Sequence, residues 1–213
     1  MGMKASAYEF SCIVDSQLQA LPEKEYLLRA GHASRAKKLR EELYPLSRLA
    51  LHFKRPGTEV EVEAFEDCRR GDGHISITGY FEREFAVEIT FAGYGPEDAL
   101  RTQLLVSQGY CPGAGSIRRD KSRKIVANQG GRDVGEHIGR VAKAVLEGFL
   151  GKVTKKYQLD TILLVAFEEP GLDGCKNWHQ LLTAIDEIGG MATGIFGAVY
   201  LFNGWTNELF RAA

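Results

Sequence analysis

Residues 71–90, GDGHISITGYFEREFAVEIT, put one acid just before an apolar run and a second acid inside the next. In the second run Phe85, Val87, Ile89 and Phe91 alternate with Ala86, Glu88, Thr90 and Ala92, the period-2 pattern of a strand whose faces differ. Glu88 and Thr90 therefore share a face. The first run, from His74 to Thr78, alternates in the same way, with Asp72 at its start between Gly71 and Gly73. Paired as a β-hairpin, the two runs bring Asp72 and Glu88 close together. Two carboxylates so placed suit a hard divalent cation, Mg²⁺ or Mn²⁺, that leaves its remaining positions to water and a substrate phosphate.

Several elements must position that pair. From Ser34 a helix is expected through AKKLREELYPLSRLALHF, with Leu39, Leu43, Leu46, Ala50 and Phe53 on one stripe and Pro45 kinking or dividing it. On a helical wheel Glu42 falls beside Leu39, Leu46 and Phe53, which makes it the acid at the edge of the buried face, whereas Glu41 falls opposite. After the Arg55-Pro56-Gly57 turn, residues 58–65 read as a strand with an acidic face and an apolar face. Pro96-Glu97-Asp98 opens a further helix through Val106. Residues 111–132 show little periodicity and hold Arg118, Arg119, Lys121, Arg123, Lys124 and Arg132, a long loop of the kind that is usually functional or disordered and that reads equally as phosphate-contacting or as a mobile charged loop with no ligand. Its Gly113-Ala114-Gly115 is too short for a dinucleotide fingerprint, and no P-loop signature is present.

The longest helix is expected from Asp133 to Tyr157, with Val134, Ile138, Val141, Val145, Phe149 and Val153 at spacings of three and four. Thr161 to Phe167 is continuously apolar, as befits a central strand covered on both faces. A helix from Trp178 to Ile188 and a second buried strand from Gly194 to Phe202 make a parallel crossover with it. Residues 1–31 are weakly patterned, with a short helix from Pro22 to Ala30 and Gly31 as its stop. The order of elements gives an α/β (α+β) chain with a mixed central β-sheet flanked by helices.

At 213 residues and 44% hydrophobic composition, a single domain with a full core is expected. A net charge of -1 excludes a globally basic nucleic-acid binder, so any such contact must come from a local patch. Cys12, Cys68, Cys111 and Cys175 form no CxxC pair, and the N-terminus has no sustained apolar run; reduced thiols in a cytoplasmic protein with no membrane span are expected.

Taken together, the helix, the three strands, the following helix and the next strand resemble the restriction-endonuclease-like superfamily, the PD-(D/E)XK nucleases. The resemblance covers residues 34–167, with 1–33 as an N-terminal helical extension and 168–213 as a C-terminal helix-strand addition. It implies a Mg²⁺-dependent endonuclease that hydrolyses DNA phosphodiesters. Asp72 looks like the family's first acid, Glu88 like the second, and Glu42 like the acid on the helix. These three would be the metal ligands, and the family's size and habit imply a homodimer. Where the family carries a lysine two residues after the second acid, this chain has Thr90. Threonine offers the attacking water a neutral hydrogen bond and no charge. Either a cation from elsewhere takes that role, such as one from the loop bearing Arg118, Arg119, Lys121, Arg123 and Lys124, which would also meet the phosphate backbone, or the site binds metal without much catalysis, or the chain is an inactive relative that keeps the fold.

Two other readings compete. One is a non-catalytic partner-binding or regulatory protein on a degenerate nuclease-like fold. The other is a small-molecule enzyme centred on residues 111–132, near which Cys111, Ser116 and His137 lie in sequence.

Overall fold

The computed structural model describes residues 3–22, 35–65, 71–93, 96–111, 116–127, 134–158, 160–169, 171–172, 174–192 and 195–213. All but the first residue of the helix expected from Pro22 to Ala30, and the Gly113-Ala114-Gly115 segment, lie outside them.

Strand alternation decides the layers. In β2 (Thr58–Ala64) and β3 (Gly73–Gly79) every second residue is buried, whereas β7 (Ile162–Phe167) and β8 (Ala198–Asn203) are buried at every position. A period-2 strand has one face on a core and one on solvent; an unbroken apolar strand needs cover on both. The expectation of a mixed sheet flanked by helices is borne out. With β1 (Met3–Ser6), β4 (Arg83–Phe91) and β9 (Glu208–Arg211) these strands form one seven-stranded sheet in the order β1-β2-β3-β4-β7-β8-β9. Neighbours from β1 to β4 are antiparallel, β4, β7 and β8 run parallel, and β9 returns antiparallel.

One face carries α1 (Ala7–Gln19) and a helix α2 (35–53), packing Phe10, Val14, Leu46 and Leu49 on Val62, Ile75, Val87 and Leu164. On the other lie α4 (Val134–Val153) and α5 (Gly174–Glu187), which pack Val141, Val145, Phe149 and Leu181 on Leu163, Val165, Val199 and Leu201. Helix α3 (Pro96–Gln108) lies between β4 and α4 in the chain. Helices therefore back β7 and β8 on both faces, while the outer face of β2 and β3, with Glu59, Glu61, His74 and Ser76, has no buried hydrophobic layer over it among the described residues.

Several parts differ from the sequence expectation: the long helix ends at Val153 rather than Tyr157, and a further strand, β9, is added to the sheet. The N-terminal stretch, read as weakly patterned, forms β1 and α1, the latter held by a capping box in which Ser6 and Glu9 serve each other. The cationic stretch is not structureless: β5 (Ile117–Arg119) and β6 (Ile125–Ala127) make a separate two-stranded hairpin. Asp120 closes its turn by accepting from the backbone N–H groups of Ser122 and Lys124.

Pro45 leaves its mark on α2. Instead of dividing the helix, it is preceded by a π-helical turn, Leu39–Leu43, between the α-helical segments Arg35–Lys38 and Tyr44–Phe53. Proline has no N–H for the carbonyl four residues back and its ring crowds that carbonyl. The turn just before it is wider than an α-helical one, with the Tyr44 N–H bonded to the Leu39 carbonyl five residues back.

Candidate functional site

Glu88 stands on β4 at the boundary between the helix-covered and open halves of the sheet, and it is only 7% exposed. A buried carboxylate must be paired or hydrogen-bonded to stay ionised. Two groups from beyond α3 do this. Lys152 Nζ, in the last turn of α4, lies 2.5 Å from Glu88 Oε1, and the Tyr157 hydroxyl donates to the same oxygen at 3.1 Å. Lys155 Nζ stands 4.0 Å from it. A cation in the last helical turn also meets the negative end of the helix dipole. Burial and the neighbouring Glu88 charge push the Tyr157 phenol well above its ordinary value, so it remains a donor.

Asp72 closes the other side. Its backbone N–H donates to the Val87 carbonyl, and Gly73 pairs with Val87, so Asp72 falls opposite Glu88. Past Asp72 the ladder ends, and the carboxylate stands in for a strand carbonyl by accepting from the Ile89 N–H at 2.7 Å. Gly71 has φ +97, and a Cβ there would meet the Val87 carbonyl at 3.0 Å and Glu88 Oε2 at 3.6 Å, so a glycine lets the chain turn against the acid. Burial, with the like charge of Glu88 adding, pushes the Asp72 carboxyl up to about 6 against the lowering effect of the Ile89 hydrogen bond. Among the described residues, neither Asp72 Oδ1 nor Glu88 Oε2 takes a hydrogen bond.

Glu42 lies on the π-helical turn of α2, half-buried. Its charge acts on Asp72, and that of Lys152 acts on it; burial raises its carboxyl above the ordinary value. The three sequence-predicted acids therefore occupy one electrostatic neighbourhood. They do not close into a cage: among the described residues no three His, Cys, Asp or Glu side chains are placed to hold a metal ion.

Thr90 shares the Glu88 face, as its spacing requires, and sits beneath α4. A Cβ on Gly148 would stand 3.4 Å from Thr90 Cγ2, so two small groups meet and the helix comes down close to the strand. Lys152 is one helical turn beyond Gly148, which carries it over Glu88 just as Gly148 lies over Thr90. Position 90 seats the helix, and the helix brings the cation. The sequence by itself points to the Arg118 to Lys124 run for that cation. What signal existed was the run Gly148-x-x-x-Lys152 at the end of a core helix, which pointed nowhere without the sheet beneath it.

The five hairpin cations are all exposed. Arg119 is engaged within the hairpin's own surroundings, donating to the Arg123 carbonyl at 2.9 Å and to Gln103 Oε1 at 2.6 Å. The small-molecule reading gains no support from its residues: His137 faces Glu169 at 3.7 Å, and Cys111 Sγ accepts from Arg101 at 3.9 Å. The Glu88 carboxylate opens onto a cleft of about 600 Å³ over the outer face of β2, β3 and β4, lined by Glu63, Phe65, His74, Lys155, Lys156 and Gln158 among others.

No helix among the described residues is long and apolar enough to cross a membrane. In comparisons with known proteins, the chain matches no family model, no curated protein and no solved structure.

Proposed function

We propose that the protein is a metal-dependent nuclease of the restriction-endonuclease-like kind, hydrolysing DNA phosphodiesters at Asp72, Glu88 and Lys152. The observation that carries this reading is the Lys152 to Glu88 contact of 2.5 Å opposite Asp72, because it puts a compact positive charge beside paired carboxylates on one sheet face. The element order from α2 through the three antiparallel strands to α4 and β7, with β7 parallel to β4, is the order expected of such a core.

The residues suit a divalent cation. Asp72 Oδ1 and Glu88 Oε2 are hard oxygen donors, and a pair of carboxylates is what Mg²⁺ asks of a protein when it keeps several waters. They would hold Mg²⁺ or Mn²⁺, with Glu42 assisting directly or through a water. When bound, the ion polarises a phosphodiester and lowers the pKa of a coordinated water. Lys152, held by Glu88, stabilises a hydroxide nucleophile by its charge, the role the resemblance assigns to a lysine at position 90. Thr90 acts here through packing. Tyr157 holds Glu88 in place by donating to Oε1. Arg118, Lys121, Arg123 and Lys124, with Arg119 bracing their hairpin, meet the phosphate backbone of DNA. A cytoplasmic setting accords with Cys12 and Cys175, which form no disulfide among the described residues.

The test is cleavage of plasmid and oligonucleotide DNA with Mg²⁺ or Mn²⁺. Wild type should cut and Glu88→Ala should not. Undiminished cleavage by Glu88→Ala, or a wild type that neither cuts nor binds metal, overturns the proposal.

One observation favours a partner-binding scaffold instead. Glu88 already has Lys152 and Tyr157 as partners, and such a closed network serves to fix a fold as well as to run a reaction. Mn²⁺ titration separates the two: the scaffold reading expects no metal between Asp72 and Glu88.

A further inference from the structure

The cleft beside Glu88 is larger than one metal ion and its waters need. At about 600 Å³ it falls within the size range of pockets that enclose a small molecule. Its floor is the outer face of the sheet, where Glu63 and His74 are register partners across β2 and β3, and His74 and Ala86 across β3 and β4. Phe65, which follows β2 and whose N–H bonds to the Asp72 carbonyl, adds an aromatic ring to the wall. Lys155, Lys156 and Gln158 stand on the segment between α4 and β7, with Lys155 more than half exposed and still 4.0 Å from Glu88 Oε1.

We infer that this cleft receives one unpaired nucleotide of a DNA strand, so that the protein acts on single-stranded or frayed DNA rather than on an intact duplex. Four features converge. Glu88 is nearly buried, so a phosphodiester reaches it only by entering the cleft. Phe65 and His74 present ring surfaces, which bind a base by stacking once it has left its partner. Lys155 and Lys156 at the lip offer point charges to the flanking phosphates. Glu63 supplies an acceptor suited to the exocyclic amine of a base and not to a phosphate. A paired and stacked base cannot make these contacts without being extruded, at a cost that an already single-stranded base escapes.

The inference rests on the nuclease reading for its placement of the reacting phosphate, but binding can be measured separately. Fluorescein-labelled single-stranded and duplex oligonucleotides of one sequence are titrated with the full chain in EDTA, and cleavage of both is followed in Mg²⁺. Single strands should bind at least tenfold more tightly than duplex. Lys155→Ala with Lys156→Ala should weaken single-strand binding about tenfold or more and lower the slope of log affinity against log salt by about 1 to 1.5, from roughly 0.7 per phosphate contact. His74→Ala should weaken it several-fold at unchanged Tm, and deoxyadenosine monophosphate should compete weakly.

Equal or tighter duplex binding, or full single-strand affinity and salt slope in the double variant, overturns the inference. Duplex cleavage that needs Glu88, together with either result, leaves the nuclease reading standing without it. Absence of any cleavage, with single-strand binding abolished in the double variant, sinks the nuclease reading and upholds the cleft. Monophosphate binding tighter than that of the strand overturns the inference in favour of a small-molecule site.

Discussion

Lys152 and Glu88 lie 64 residues apart in the chain and 2.5 Å apart in space. Helix α4 crosses β4 with Gly148 above Thr90, and the next turn sets the ammonium on the carboxylate. Lys152→Met leaves a nearly buried Glu88 with only the more distant Lys155 for a cation, and should cost about 1–3 kcal/mol in urea unfolding, below the full cost of a deeply buried pair because both groups keep some solvent and Lys155 remains 4.0 Å away. Pairing it with Glu88→Gln should recover most of that stability and none of the Mg²⁺-dependent cleavage. Cleavage by Lys152→Met alone should fall by about 10² to 10⁴.

The Asp72 carboxyl, pushed up to about 6 from an ordinary 3.8, makes apoprotein stability depend on pH. Because the folded chain holds this proton more tightly than the unfolded one, the group stabilises fully below about 3.8, and that contribution is lost as pH rises through about 6. The loss between pH 4 and 7 should be about 2 kcal/mol, at 1.36 kcal/mol per unit. Urea unfolding of Asp72→Asn, measured in EDTA, should lack that component. In wild type, Mg²⁺ affinity should weaken about tenfold per pH unit below about 6, as the proton competes for the ligand.

Glu42 is raised by burial, so its charge is a burden near neutrality. Glu42→Gln keeps the shape and removes the charge. Its urea midpoint at pH 7.5 should equal or exceed that of wild type, while Mg²⁺-dependent cleavage falls about tenfold. A drop in stability with unchanged cleavage would assign Glu42 to the fold alone.

Gly79 closes the turn between β3 and β4 at φ +106, where a Cβ would stand 2.4 Å from the Gly57 carbonyl. Backbone meets backbone there, and no side chain is free to move aside. Gly79→Ala should cost about 2–4 kcal/mol by thermal or urea unfolding, the sum of a left-handed φ and a real clash.

The hairpin cations Arg118 and Lys121 are exposed and take no part in the Glu88 network. Replacing each by Ala should lower DNA affinity at low salt and reduce the salt slope by about 1 for every phosphate left without its cation, with little change in the rate at saturating DNA. An unchanged slope would remove the hairpin from the DNA surface.

Local periodicity made much of the frame legible. The alternation of β2, β3 and β4, the unbroken apolar runs of β7 and β8 and the spacing of Ile138, Val141, Val145 and Phe149 on α4 each state which face is buried, because burial repeats with the period of the backbone. The same logic put Glu88 with Thr90 on one face and Asp72 at the head of the neighbouring strand. It missed β1 and α1, whose starting signal, a capping box after a short strand, is spread over too few residues to stand out. The hairpin of β5 and β6 escaped for a like reason, since strands of three residues have no period to read. What only the tertiary structure decided is how the candidate site is completed. The sequence puts a neutral threonine two residues after Glu88; the packing of Gly148 on Thr90 sets Lys152 on Glu88 from a helix that no spacing within residues 71–90 can reveal. Charge meets charge through the approach of a helix to a sheet, and that approach is set by the small side chains between them.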